Sequence, residues 1–108
     1  MGQLLLVGED QFFHSRELHG FSVVHVQTDA EALSLSGRFD FDAIVAANGE
    51  TVLKEVRSNG KHTPFLNISE RASAIDCCGG HMTPSASDSE KAGVLAGLMN
   101  RNHDSDCI

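Results

Sequence analysis

The fold follows from one stretch of sequence near the start of the chain, Leu4-Leu5-Leu6-Val7-Gly8-Glu9-Asp10. Four apolar residues in a row, with no polar residue between them, are typical of a strand that is buried on both faces. The run ends in a glycine and two acids, so polar groups follow the strand's carboxyl end. Strands buried on both faces occur in parallel sheets covered by helices, and the segment therefore predicts an α/β architecture.

The alternation of strand and helix continues along the chain. We predict four further strands, over residues 22–26, 41–47, 64–68 and 77–82. We predict helices at 10–19, from Thr28 or Asp29 to Gly37, at 51–58, for a turn or two at 70–75, and from Ser87 or Asp88 through Met99. Right-handed crossovers between parallel strands then favour a flavodoxin-like sheet of order 2-1-3-4-5 with helices on both faces.

Composition limits the class of protein. The 108 residues are enough for one domain, which we place at 1–99, with 100–108 as a disordered polar tail. A net charge of −7 without a basic cluster argues against nucleic acid or an anionic membrane surface as partner. No apolar run approaches the roughly 20 residues that span a bilayer. The N-terminus lacks the features of a signal peptide, so we expect a cytoplasmic protein.

Several segments, in their order along the chain, resemble the receiver domain of bacterial response regulators over about residues 3–99. Leu5-Leu6-Val7-Gly8-Glu9-Asp10 is similar to the receiver's first strand and the acidic cluster after it. The stretch 41–47 is similar to the third strand, which in receivers ends in the phosphorylated Asp. The stretch 63–69 is similar to the fourth strand, which ends in Ser or Thr, and Met82-Thr83-Pro84 to the Lys-Pro step after the fifth.

Departures from that pattern fall on the reactive positions. Ala47 occupies the place of the phosphoacceptor Asp, and a methyl group cannot accept a phosphoryl group. Asn48 follows it, and an amide is no substitute as a nucleophile. Gly8 occupies the place of the first acid, which leaves Glu9 and Asp10 as the acids available for Mg²⁺, fewer than a hard cation usually requires.

The later strand ends depart as well. Thr83 occupies the place of the lysine that contacts the phosphoryl oxygens, and Gly80 that of a switching aromatic residue, whereas Ser69 and Pro84 match. The intervals from Ala47 to Ser69 and from Ser69 to Thr83 are also short for a receiver. The resemblance therefore implies shortened third and fourth helices.

The resemblance implies a pseudo-receiver, which is a non-phosphorylatable signalling module that acts by protein–protein interaction. The expected partners are a signalling kinase or an effector, and no enzyme activity, cofactor or metal ion is predicted. Receivers commonly form homodimers through the fourth and fifth helices and the fifth strand. The first helix, with Phe12, Phe13 and Leu18, is an alternative contact surface. We name as degenerate phosphoacceptor pocket the residues Gly8, Glu9, Asp10, Ala47, Asn48, Ser69, Thr83 and Pro84.

A second hypothesis is a small-molecule- or metal-binding module that uses the crevice at the strand ends or a cluster of Cys77, Cys78 and His81. Thiolate and imidazole are zinc ligands, but this spacing matches no strong zinc signature. We interpret these cysteines and Cys107 as reduced thiols. A third hypothesis, an unrelated small α/β enzyme, is disfavoured, because the chain contains no Gly-x-Ser-x-Gly motif and no glycine-rich phosphate loop.

Overall fold

A parallel five-stranded sheet forms the centre of the protein. The computed structural model describes residues 2–70 and 79–101. The strands are β1 (Gln3–Val7), β2 (Ser22–Val26), β3 (Ala43–Ala47), β4 (Phe65–Ile68) and β5 (Gly79–Met82). Their order, β2-β1-β3-β4-β5, confirms the predicted flavodoxin-like topology. Residues 77 and 78 of the predicted fifth strand lie outside the described residues.

Three α-helices are described, and two of them, the first and the third, begin with a local side-chain cap. They are α1 (Asp29–Arg38), α2 (Glu50–Ser58) and α3 (Asp88–Arg101). The Thr28 hydroxyl accepts a hydrogen bond from the Glu31 N–H at 3.2 Å, and the Ser87 hydroxyl accepts one from the Glu90 N–H at 3.1 Å. Each is one of the two alternative helix starts predicted from the sequence, and its hydroxyl satisfies a free N–H of the first turn. The predicted turn at 70–75 lies almost entirely outside the described residues.

The predicted helix at 10–19 is wrong. Two short 3₁₀ helices, Gln11–His14 and Arg16–Leu18, take its place. Ser15 between them is extended, with φ −78° and ψ 149°, and its hydroxyl accepts from the Glu17 N–H at 3.0 Å. The short side chains of Asp10 and Ser15 thus bond to nearby N–H groups and divide the segment, which competes with a continuous helix.

The contact surface predicted on this segment is also wrong. Phe12, Phe13 and Leu18 are all buried. Adjacent side chains of a 3₁₀ helix point about 120° apart, so the two phenylalanine rings contact different neighbours. Phe12 enters the core, and Phe13 packs edge-on against the ring of His25 with 5.4 Å between ring centroids. This stretch therefore mainly covers the sheet, and only small parts of Phe13 and Leu18 remain accessible.

Two apolar layers cover the two faces of the sheet. One joins α3 and the 3₁₀ segment to alternate residues of β1, β3 and β4, including Leu4, Val45 and Leu66. The other joins α1 and α2 to the intervening residues, including Leu5, Ile44 and Phe65. Alternate side chains of a strand point to opposite faces, so the continuous apolar runs of the sequence supply both layers. Among the described residues, no helix is long and apolar enough to cross a membrane.

We expect Gly49→Ala to destabilise the protein by about 1–3 kcal/mol, because the interior is overpacked by the added methyl group. A Cβ at position 49 would overlap the Cβ of Ala46 and stand 3.2 Å from the Phe65 ring. The matched control is Gly37→Ala in α1, where an added Cβ meets no atom within 4 Å. The control should gain about 0.5–1 kcal/mol. Urea midpoints at unchanged m-value measure both changes. A Gly49→Ala midpoint equal to that of the unaltered protein would contradict the crowding at Gly49.

Candidate functional site

The carboxyl ends of β1 and β3 meet at the centre of the site. Gly8 has a φ of +90°, and a Cβ added to it would stand 3.3 Å from the Cβ of Ala47. Parallel neighbours end at the same edge of a sheet, which is why the sequence placed these two positions together. The side chains that meet at this point are therefore the hydrogen atom of Gly8 and the methyl group of Ala47. Neither residue supplies a side-chain oxygen to the pocket.

The turn after β3 contains a residue with left-handed backbone angles. Asn48 adopts φ 55°, a left-handed conformation that Asn tolerates better than most residues, and its side chain is exposed. The N–H of Gly49 donates to the buried Oδ1 of Asn67 at 2.8 Å. Asn67 on β4 thereby accepts from the N–H at the start of α2 and holds the turn between β3 and α2. This structural role for Asn67 was not predicted from the sequence.

A buried ion pair between Asp10 and Lys91 lies next to the carboxyl end of β1. The Lys91 ammonium lies 3.1 Å from Oδ1 of Asp10, and their side chains are only 1% and 7% exposed. The same Oδ1 accepts a hydrogen bond from the Phe12 N–H at 2.9 Å. A buried carboxylate is tolerated only when it is paired or hydrogen-bonded, and Asp10 is both.

Lys91 also reaches the loop after β5. Its ammonium donates to the carbonyl oxygen of Pro84 at 3.1 Å and lies 5.9 Å from the centre of the Phe12 ring, within cation–π range. One side chain of α3 therefore ties the loop after β1 to the loop after β5. Because β3 and β4 lie between those strands, this link spans the carboxyl edge of the sheet.

Lys91 is a residue of the site that sequence reasoning missed. A signal was present, since Lys91, Leu95 and Leu98 recur at helical spacing and all three are buried. A lysine on the apolar face of a helix needs a buried partner or a path to water. That partner could not be identified from the sequence, because Asp10 lies 81 residues away.

Ser69 and His81 form a second polar contact, at the ends of β4 and β5. Nε2 of His81 lies 3.0 Å from the backbone oxygen of Ser69 and 3.2 Å from its hydroxyl oxygen. The carbonyl oxygen can only accept, so Nε2 carries the proton. A protonated Nε2 cannot take the hydroxyl proton, and the contact therefore does not make Ser69 an activated nucleophile.

The remaining predicted residues do not join these contacts through their side chains. Glu9 is exposed, and the exposed Thr83 hydroxyl lies 3.0 Å from that of Ser85 rather than near Asp10. Pro84 contributes its carbonyl oxygen. Cys77, Cys78 and Cys107 lie outside the described residues. Among residues 2–70 and 79–101, no three His, Cys, Asp or Glu side chains are grouped to hold a metal ion.

We expect Lys91→Met to destabilise the protein by about 3–5 kcal/mol, because it leaves the Asp10 carboxylate buried without a counter-charge. Adding Asp10→Asn should recover most of the loss, since an amide oxygen can still accept from the Phe12 N–H. The control is Lys54→Met, which removes an exposed pair with Glu50 at 3.4 Å and should change stability by less than about 1 kcal/mol. Urea unfolding measures all three variants. A cost for Lys91→Met no greater than that of the control would contradict the buried pair.

Comparison with known proteins identifies the fold. No protein-family model and no curated protein matches the sequence. Among solved structures, the receiver domain of the Francisella response regulator 1452 is 20% identical, with a TM-score of 0.78 over 94% of this chain and 99% of that one. The receiver domain of a putative Luxo repressor protein from Vibrio parahaemolyticus is 15% identical, with a TM-score of 0.80 over 97% and 95% of the two chains.

A third similar structure bears on the site. The receiver domain of the sensor histidine kinase PA1611 from Pseudomonas aeruginosa was solved with a magnesium ion coordinated in its active-site cleft. It is 19% identical to this chain, with a TM-score of 0.74 over 93% of this chain and 99% of that one. With the sheet order, these likenesses confirm the predicted receiver topology: the chain has the fold of the response-regulator receiver domain.

Proposed function

We propose that this chain is a receiver-like signalling or regulatory module that is not phosphorylated and acts through protein–protein contact. The observation that carries the proposal is the packing of Ala47 against Gly8 at the ends of β3 and β1. A phosphoryl group needs a nucleophilic oxygen to accept it, and neither residue has a side-chain oxygen. The proposal assigns the chain no catalytic step and no cofactor.

The surroundings of Ala47 support the same proposal. Phosphoryl transfer depends on cations that neutralise the charge developing on the phosphoryl oxygens. Thr83 is exposed and neutral at the lysine position, and the ammonium of Lys91 is already bonded to Asp10 and Pro84. A phosphoryl donor at this edge would meet no free cationic side chain from those two positions.

The exposed apolar groups provide the clearest candidate for a contact surface. Val23 on the outer strand β2 is 41% exposed, and Val94 on α3 is 37% exposed. Beside Val23 lies a hollow of about 610 Å³, to which Phe13, Leu18 and Phe21 also contribute. We favour the β2 side, because an outer strand with an adjoining hollow, lined by both polar and apolar residues, can accept a partner's side chains as well as its backbone. A cytoplasmic kinase or effector, or a second copy of this chain, would fit the proposal.

We expect no phosphoryl uptake when the protein is incubated with acetyl phosphate and Mg²⁺. Ala47→Asp should also remain unlabelled, because Gly8 and Thr83 still supply neither an acid nor a lysine. Intact-protein mass spectrometry measures the phosphoryl increment, with an active receiver domain as positive control. Stable uptake at one site by the unaltered protein would overturn the proposal.

We expect Val23→Glu to abolish capture of the partner and Val94→Glu to leave it intact, since each places a charge on a different apolar surface. The two valines are similarly exposed, so each variant controls for the other. The measurement is affinity capture from cells that express the chain, quantified by mass spectrometry, with light scattering to detect a homodimer. Loss with Val94→Glu alone would move the contact to α3. If the unaltered protein retains no protein reproducibly and is monomeric, the contact mechanism is wrong.

A further inference from the structure

We propose that the Lys91 ammonium is the resident cation of this site, bound at the Asp10 carboxylate in place of a divalent metal ion. The inference goes beyond the proposed function, because it holds whether or not the chain contacts a partner. It rests on the contacts of the pair. Asp10 accepts from the ammonium and from the Phe12 N–H, and the ammonium also donates to the Pro84 carbonyl oxygen and lies over the Phe12 ring.

The ammonium makes contacts of the kind that a hard cation makes. Its two described acceptors are a carboxylate oxygen and a backbone carbonyl oxygen, both at 3.1 Å. Hard cations such as Mg²⁺ also choose oxygen ligands of this kind. Lys91 therefore joins the loop after β1 to the loop after β5 with an oxygen-bound positive charge, and its side chain is 1% exposed.

While the Lys91 ammonium is bound to Asp10, the residues at this edge do not accommodate a divalent ion. Gly8 and Ala47 bring no oxygen-bearing side chain to the strand ends, and Glu9 is exposed. One carboxylate and one ammonium already balance in charge. A divalent cation at Asp10 would stand next to a buried positive charge, and like charges in an interior of low dielectric constant repel strongly.

A cation fixed to the chain has a consequence that an exchangeable ion lacks. The link between Asp10 and Pro84 is present at every metal concentration, because Lys91 cannot dissociate from the protein. Such a site holds the loops after β1 and β5 in one arrangement, without requiring a metal ion. We therefore infer that the conformation at this edge of the sheet is independent of divalent cations.

The first test uses the unaltered protein alone. Its melting temperature should be the same in EDTA and in millimolar Mg²⁺, because a ligand that binds the native state would raise it. The ¹⁵N-labelled ammonium of Lys91 should give a resolved, slowly exchanging NMR signal that Mg²⁺ does not move. A rise in melting temperature with Mg²⁺, or a shift of that signal, would overturn the inference.

The second test removes the resident cation. Mn²⁺, whose paramagnetism broadens nearby amide signals, should leave Glu9, Asp10 and Phe12 unbroadened in the unaltered protein. Mn²⁺ should broaden these signals in Lys91→Met, where the Asp10 carboxylate is no longer paired with an ammonium and can bind the metal ion. The matched control, Asp10→Asn with Lys91→Met, should lose that broadening.

The outcomes of the second test are distinct. Broadening only in Lys91→Met supports the inference. Equal broadening with and without Lys91 means that the ammonium does not exclude a metal ion, and absence of broadening in every variant means that Asp10 is not a metal position. Either result would overturn the inference. If Lys91→Met does not fold, the melting and ammonium measurements on the unaltered protein decide.

Discussion

The buried pair of Lys91 and Asp10 is the interaction on which the arrangement of the site depends. An ammonium and a carboxylate that are both almost inaccessible to water are stable only next to each other. Their contact therefore fixes where the first turn of α3 lies relative to the end of β1. It also determines how the 3₁₀ segment begins, because Asp10 accepts from the Phe12 N–H with the same oxygen that faces Lys91.

The sheet and its helices were predictable because their signals are local and repeated. Apolar runs such as 4–7 indicate strands buried on both faces, and Thr28 and Ser87 mark helix starts through their own hydroxyl groups. The segment 10–19 was mispredicted because apolar spacing alone does not distinguish an α-helix from two 3₁₀ turns. The difference lies in Ser15, whose hydroxyl bonds to the Glu17 N–H and interrupts the helix.

The site was predictable where topology alone brings residues together. Gly8 and Ala47 follow neighbouring parallel strands, so their contact could be expected from the strand order. The position of the Lys91 ammonium could not be predicted in this way. It depends on how α3 packs against the sheet and on how far the lysine side chain reaches. The same holds for Asn67, whose amide oxygen reaches the Gly49 N–H across a turn. Such contacts depend on packing in three dimensions rather than on spacing along the chain.

The residues that stabilise the sheet lie apart from those at its carboxyl edge. The two apolar layers that stabilise the sheet lie on its faces, whereas the reactive positions of a receiver lie at the carboxyl edge. Acids clustered at such an edge repel one another unless a cation balances them. Gly8 and Ala47 place no carboxylate at the ends of β1 and β3, so no such repulsion arises there. The carboxylate of Asp10 is paired with the Lys91 ammonium. This edge therefore needs no added cation to balance Asp10, and the sheet beneath it keeps the receiver topology.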